Sequence, residues 1–165
     1  MSSSPPPFKL LVLDVDGTLT DGGMYVLESG EQFKRFNAKD GLGISQAIRR
    51  GLTVGIISHS STSGAIRQRV STLGIQRFYV GKQSKLEVLQ GWCAELGIGL
   101  DEVAFIGDDL NDLEIAQAVG LSACPADAVE AMRESCHIVL EKDGGHGCVR
   151  EFIDRFYAEN PATIG

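Results

Sequence analysis

Residues 8–13, Phe-Lys-Leu-Leu-Val-Leu, form an apolar run that stops at Asp14 and Asp16 and is then broken by Gly17. The run has the length of a buried strand and falls far short of the ~20 residues a membrane-crossing helix needs. Similar runs recur at 52–57 and 103–106, with shorter ones at 75–80, 121–124 and 136–140. Between them lie segments of helical period, several ending at a glycine. Residues 40–50 place Ile44, Ala47 and Ile48 on one face before Gly51, 63–73 precede Gly74, and 84–96 precede Gly97. Residues 112–119 precede Gly120, and 126–134 and 149–158 complete the set. Within 22–36, two short β-prone runs flank Glu28-Ser29-Gly30-Glu31, which reads as a hairpin.

Strands alternating with helices predict an α/β fold: a Rossmann-like, doubly wound, mostly parallel sheet covered on both faces. The hairpin is the one sizeable elaboration, a flap, and there is no separate cap domain. Residues 1–7, Met-Ser-Ser-Ser-Pro-Pro-Pro, read as a disordered tail, and residues 8–165 as a single domain.

Composition narrows the function classes. Of 165 residues, 43% are hydrophobic and 22% charged, the balance of an ordinary globular chain. The net charge of −7 argues against general nucleic-acid binding and implies that an anionic substrate meets locally placed cations. The start lacks the basic-then-apolar order of a secretory signal, and no run suits a membrane span. Cys93, Cys124, Cys136 and Cys148 form no CxxC pair and match no zinc spacing. They read as reduced thiols of a cytoplasmic protein.

The chemistry concentrates at strand ends. A carboxylate pair at a strand's C-terminal edge is costly unless a cation or substrate uses it, and that edge is where open α/β sheets bind ligands. Asp14 and Asp16, two apart, fall on the same side of an extended chain. A second acidic loop, Gly107-Asp108-Asp109-Leu110-Asn111-Asp112, follows the run at 103–106. Two acidic loops at two strand ends suggest one divalent cation between them. Ser58 ends another apolar run, and Lys85 opens a helix. Ser58 also has a simple reading as a helix cap, and Asp112 reads equally well as a cap of the helix after it.

Asp14-Val-Asp16-Gly-Thr18, Ser58, Lys85 and Gly107-Asp108-Asp109-Leu-Asn111-Asp112 resemble, in order, the four motifs of the haloacid dehalogenase superfamily. The resemblance implies phosphoryl transfer, with Asp14 as nucleophile forming an aspartyl-phosphate and Asp16 as general acid and then base. It implies Mg²⁺ held by Asp14, Asp108 and the backbone carbonyl of Asp16. Ser58 would donate to a phosphate oxygen, and Lys85 would neutralise phosphate charge and keep Asp14 ionised. Asp109, Asn111 and Asp112 would support the site from behind.

Thr20-Asp21-Gly22-Gly23, residues 36–43 (Phe-Asn-Ala-Lys-Asp-Gly-Leu-Gly) and Gly144-Gly145-His146-Gly147 resemble one cap-less branch. Its members are phosphatases of 3-deoxy-D-manno-octulosonate 8-phosphate and of nonulosonate 9-phosphates. That likeness implies a homotetramer in which each hairpin closes a neighbour's active site. It also implies that Thr18, Asn37, Lys39, Asp40, Gly41 and Arg69 contact the substrate, with Arg67 near Arg69.

One segment departs from the branch. The usual Thr or Ser, then Gly, then a charged specificity residue is replaced by Ser58-His59-Ser60-Ser61, and His146 stands where Arg or Glu is common. The resemblance implies 3-deoxy-D-manno-octulosonate 8-phosphate as substrate, and this departure leaves a nonulosonate 9-phosphate as the alternative. A non-catalytic oligomerisation module is a third reading, opposed by the intact Asp14, Asp16, Ser58, Lys85 and Asp108. A phosphotransfer receiver domain is excluded, because neither the second nor the third strand ends in an Asp.

Overall fold

The structure, a computed structural model, describes residues 8–157. The tail expected at 1–7 and the final residue of the helix expected at 149–158 lie outside them.

Six parallel strands build the sheet: β1 (Leu10–Leu13), β4 (Thr53–Ser58), β5 (Arg77–Val80), β6 (Val103–Ile106), β7 (Leu121–Cys124) and β8 (Ile138–Val139), in the order β5-β4-β1-β6-β7-β8. The chain steps outward from β1 to β4 and β5, then returns to β6 on the other side of β1. That reversal is the switch point at which doubly wound sheets open a crevice. Leu13 pairs with Ile56 on one side and Ile106 on the other, so Asp14 leaves the sheet where β6 ends while β4 runs on to Ser58.

The period of two along β1 explains the two cores. Leu11 and Leu13 face one layer, built with Ile44 and Ala47 of α1 (Ala38–Arg49), Ile66 and Val70 of α2 (Gly64–Leu73) and Phe152 of α6 (Cys148–Phe156). Leu10 and Val12 face the other, with Leu89 of α3 (Lys85–Leu96), Ile115 of α4 (Leu113–Ala118) and Met132 of α5 (Glu130–Ser135). All four β1 side chains are fully buried, which is why the strand reads as a continuous apolar run rather than an alternating one.

The hairpin is smaller than the 22–36 reading: β2 (Tyr25–Val26) and β3 (Gln32–Phe33) pair over two residues each. A single antiparallel bridge, Thr20 to Phe36, closes its base. The α5 helix begins at Glu130 rather than residue 126. Upstream backbone groups are already committed: the Ala126 amide donates to Lys142 O and the Ala128 amide to Pro125 O. A short 3₁₀ turn, Leu110–Asp112, precedes α4, so the expected helix start at residue 112 is a turn residue. All four cysteines are free thiols. Among the described residues, no helix is long and apolar enough to cross a membrane.

Candidate active site

Asp14, Asp16, Ser58, Asp108, Asp109 and Asn111 line one pocket of about 180 Å³ at the C-terminal end of the sheet, together with His59 and Ser60. Four segments meet there: the loop after β1, the end of β4, the loop after β6 and, from below, the first residue of α3.

The loop after β1 is forced into place by its glycine. Gly17 has φ +85°, and a Cβ there would lie 1.9 Å from Asp108 Oδ2. Both the left-handed backbone and the close approach of the two acidic loops therefore require glycine. Val15 turns inward, fully buried, and its carbonyl accepts from the amides of Thr18, Leu19 and Thr20. The C-terminal glycines brace this loop from behind. The Gly145 amide and the Cys148 thiol both donate to Thr18 O, and a Cβ on Gly144 would lie 1.8 Å from Gly17 O.

Asp14 is 6% exposed, and Lys85 reaches it from α3 with Nζ 2.8 Å from Oδ1. The same ammonium sits 2.7 Å from Asp112 Oδ1. The other Asp112 oxygen accepts from the amides of Asp108, at 3.0 Å, and Asp109, at 3.3 Å. This settles the two readings of Asp112. Its side chain makes no cap to α4; it closes a capping box on the preceding 3₁₀ turn and ties the second acidic loop to Lys85. Ser58 is 1% exposed, closes β4, and accepts from the Ser60 amide at 3.0 Å.

One oxygen from each of Asp14, Asp108 and Asp112 lies within 4.8 Å of the others. Burial, with the neighbouring Asp108, raises Asp14 to about 7 against the pull of Lys85. Burial, with the charges of Asp112 and Asp109, raises Asp108 to about 6, and burial beside Asp14 raises Asp112 to about 7. Burial lowers the Lys85 ammonium, but Asp14 and Asp112 more than offset it, so it stays above the ordinary lysine value. Of these three carboxylates Lys85 pairs with two, Asp14 and Asp112, and the residual negative charge with all-oxygen donors fits a hard divalent ion. Because both Asp112 oxygens already have partners, Asp14 and Asp108 are the side chains free to hold it.

Several expected site residues stand elsewhere. Thr18 is fully buried and donates to Asp108 Oδ1 at 3.4 Å, so it orients that carboxylate and does not face the pocket. Asp109 and Asn111 are exposed at the pocket lining rather than behind it. Asn37 is the N-cap of α1, its side chain accepting from the Lys39 and Asp40 amides. Lys39 is exposed. Asp40 is 1% exposed and turns to the start of α6, where Oδ1 accepts from the Arg150 amide at 2.9 Å. Gly41 packs under Arg69, whose guanidinium donates to Asn37 O and lies over the Phe36 ring. These five share one layer beside the pocket without lining it. Arg67 lies over the Phe78 ring, away from Arg69's contacts.

Two further residues bear on the pocket. His59, from the segment that departs from the branch, lines it with Nε2 2.8 Å from Gln83 O. Lys34 of the hairpin reaches Asp16, with Nζ 2.5 Å from Oδ1. Alternation along β3 would have placed residue 34 opposite Phe33, but not over Asp16.

A haloacid dehalogenase-like hydrolase model matches residues 66–152. The 3-deoxy-D-manno-octulosonate 8-phosphate phosphatase KdsC of Escherichia coli K12 is 39% identical over 146 residues, covering 88% of this chain and 77% of that one. The chain belongs to the haloacid dehalogenase-like hydrolases. A probable YrbI family phosphatase from Pseudomonas syringae superposes with a TM-score of 0.87 at 42% identity, covering 90% of this chain and 84% of that one. The Moraxella catarrhalis 3-deoxy-D-manno-octulosonate 8-phosphate phosphatase, solved with magnesium, phosphate and KDO, gives 0.88 at 34% identity, covering 92% and 86%. Membership together with the similarity to KdsC phosphatases makes this chain a phosphoric monoester hydrolase.

Proposed function

We propose that the chain is a Mg²⁺-dependent phosphatase that hydrolyses 3-deoxy-D-manno-octulosonate 8-phosphate through an aspartyl-phosphate. The observation that carries this reading is the pairing of Asp14 with buried Lys85 at a pocket floor shared with Asp108. The sugar acid follows from the similarity to KdsC phosphatases.

Asp14 attacks phosphorus in line, and the phosphoryl group passes to its carboxylate. Lys85 keeps Asp14 ionised and draws charge from the phosphoryl oxygens. Ser58 donates its hydroxyl proton to one of those oxygens. Asp16 gives a proton to the departing sugar alcohol, then takes one from the water that cleaves the aspartyl-phosphate. Mg²⁺, held by Asp14, Asp108 and the Asp16 carbonyl, supplies charge neutralisation at the phosphoryl group.

The hairpin's apolar side chains lie outward: Met24 is 69% exposed, Val26 54% and Phe33 52%. A patch of this kind on a two-stranded ribbon suits an interface. It supports a homotetramer in which the hairpin, with residues such as Lys39, completes a neighbour's pocket in the cytoplasm. Asn37, Asp40, Gly41 and Arg69 then shape the wall behind that contact.

One segment keeps a second substrate open. His59 and Ser60 line the pocket where the branch carries Gly and a charged residue, so a nonulosonate 9-phosphate is the alternative. Phosphate release from a panel of phosphorylated sugar acids with Mg²⁺ separates the two. Preference for the octulosonate 8-phosphate supports the first reading and preference for the nine-carbon acid the second. A tetramer releasing phosphate from neither would favour a non-catalytic module.

A further inference from the structure

Among the described residues, the Asp16 carboxylate has one side-chain partner, the Lys34 ammonium, at 2.5 Å. The Lys34 side chain is 11% exposed and that of Asp16 42%, so the lysine is the fixed member and the carboxylate the open one. The contact spans 18 positions and joins the hairpin to the catalytic loop.

The hairpin is built to hold that lysine. Asp21 accepts from the Gly23 amide at 2.9 Å and from the Tyr25 hydroxyl at 2.5 Å, tying the first strand to the catalytic loop. Tyr25 stacks on Phe33 with ring centroids 5.0 Å apart. Phe33 and Arg35 are exposed while Lys34 between them is not, so strand alternation turns residue 34 inward. The Thr20 to Phe36 bridge fixes the far side. Asp14 and Asp108, by contrast, are held by Lys85 and by Thr18 from within the domain.

We infer that Lys34 is a positioning residue for Asp16: it holds the carboxylate over the pocket in the orientation from which Asp16 exchanges protons with the leaving alcohol and with water. This rests on the phosphatase reading and adds to it a role for the chain's own hairpin in its own site, alongside any contact with a neighbour. A proton donor with a single tether loses orientation when the tether goes, and general acid–base catalysis contributes roughly 10²–10⁴-fold.

The test compares wild type with Lys34→Met, Lys34→Gln and Lys34→Arg on 3-deoxy-D-manno-octulosonate 8-phosphate and on p-nitrophenyl phosphate, whose leaving group needs little protonation. Melting temperature and oligomeric state are measured for each. Lys34→Met is expected to lower kcat on the sugar phosphate by about 30-fold, less than the 10²–10⁴-fold of a lost acid–base group because Asp16 itself remains and loses only its orientation. KM should stay within about threefold, and the pre-steady-state burst of p-nitrophenol should be retained. Lys34→Arg should recover most of kcat, and Lys34→Gln should fall between.

A raised KM with unchanged kcat would overturn the inference in favour of a substrate contact. A p-nitrophenol burst that slows along with turnover on both substrates, unrescued by arginine, would overturn it in favour of a hairpin strut. A Lys34→Met enzyme equal to wild type refutes the inference alone. A wild type that releases phosphate from neither compound refutes the phosphatase reading and the inference with it.

Discussion

Lys85 and Asp112 form an ion pair sealed from solvent: Nζ lies 2.7 Å from Oδ1, with side-chain exposures of 2% and 0%. The pair joins α3 to the acidic loop after β6, and the same ammonium reaches Asp14 after β1. Desolvation makes such a triad expensive, so it is weak evidence for stability and better read as a device that fixes three loops in one geometry.

Removing the cation from this triad should be more damaging than removing a surface charge. Lys85→Met leaves Asp14 and Asp112 buried without a counter-ion, a situation that costs about 3–5 kcal/mol. The expected result is a melting temperature lower by about 6–20 °C, at roughly 2–4 °C per kcal/mol. Phosphate release should fall at least 100-fold, as for a lost acid–base or electrostatic group. Thermal melts with parallel activity assays check this.

The raised carboxyls give a pH signature. Asp14, Asp108 and Asp112 rise from 3.8 to about 7, 6 and 7. The folded chain therefore binds these protons more tightly than the unfolded chain, and stability falls as pH rises from about 4 to 7. Lys85 has no part in that window: its raised value keeps its contribution whole below 10.5 and loses it only above. Asp21 and Glu102 are lowered, from 3.8 and 4.5, and lose their contribution only as pH falls below those values. In EDTA the melting temperature should be higher near about pH 5.5 than near about pH 7.5, and Mg²⁺ should raise it more at the higher pH. A melt in EDTA that climbs with pH, or ignores Mg²⁺ at both, would contradict the metal assignment.

Asp40 tests a different part of the fold. The N-cap of α6 is Gly147, which offers no side chain, and Asp40 of α1 supplies the missing acceptor. Asp40→Ala should cost about 2 kcal/mol, the upper range for a lost cap, or about 4–8 °C in melting temperature. Because α6 follows the glycines that brace Thr18, some activity should be lost as well. Unchanged stability by calorimetry would mean that the carboxylate does no capping.

The outward face of the hairpin carries the assembly proposal. Met24→Asp combined with Val26→Asp places two charges on exposed apolar positions and leaves the Tyr25–Phe33 stack in place. The expected outcome by light scattering is a smaller assembly with reduced turnover. A monomeric double variant with full activity would remove the neighbour's hairpin from the account.

What the sequence made legible was local. Asp14, Ser58 and Asp108 could be found because each ends an apolar run, and the strand order then brings those ends together at the switch point. Lys85 was legible only as the first residue of a helix in the right order. What stayed hidden depends on tertiary distance. Lys34 meets Asp16 across 18 positions, Lys85 meets Asp112 across 27, and Asp40 caps α6 across 110. Periodicity carries no such information. The residues around 37–41 illustrate this: the family resemblance implies substrate contact, and no periodicity shows that Asn37 caps α1, that Asp40 accepts from α6 or that Gly41 lies against Arg69. The late start of α5 has the same origin, since distant Lys142 claims the amide of Ala126.

The most direct test is phosphate release from 3-deoxy-D-manno-octulosonate 8-phosphate, with Mg²⁺, by wild type and by Asp14→Asn. The account predicts rapid release by wild type and a loss of at least about 10⁴-fold in the variant, which keeps the shape of the site but lacks the nucleophile. Comparable release by Asp14→Asn would contradict the central claim that Asp14 carries the phosphoryl group.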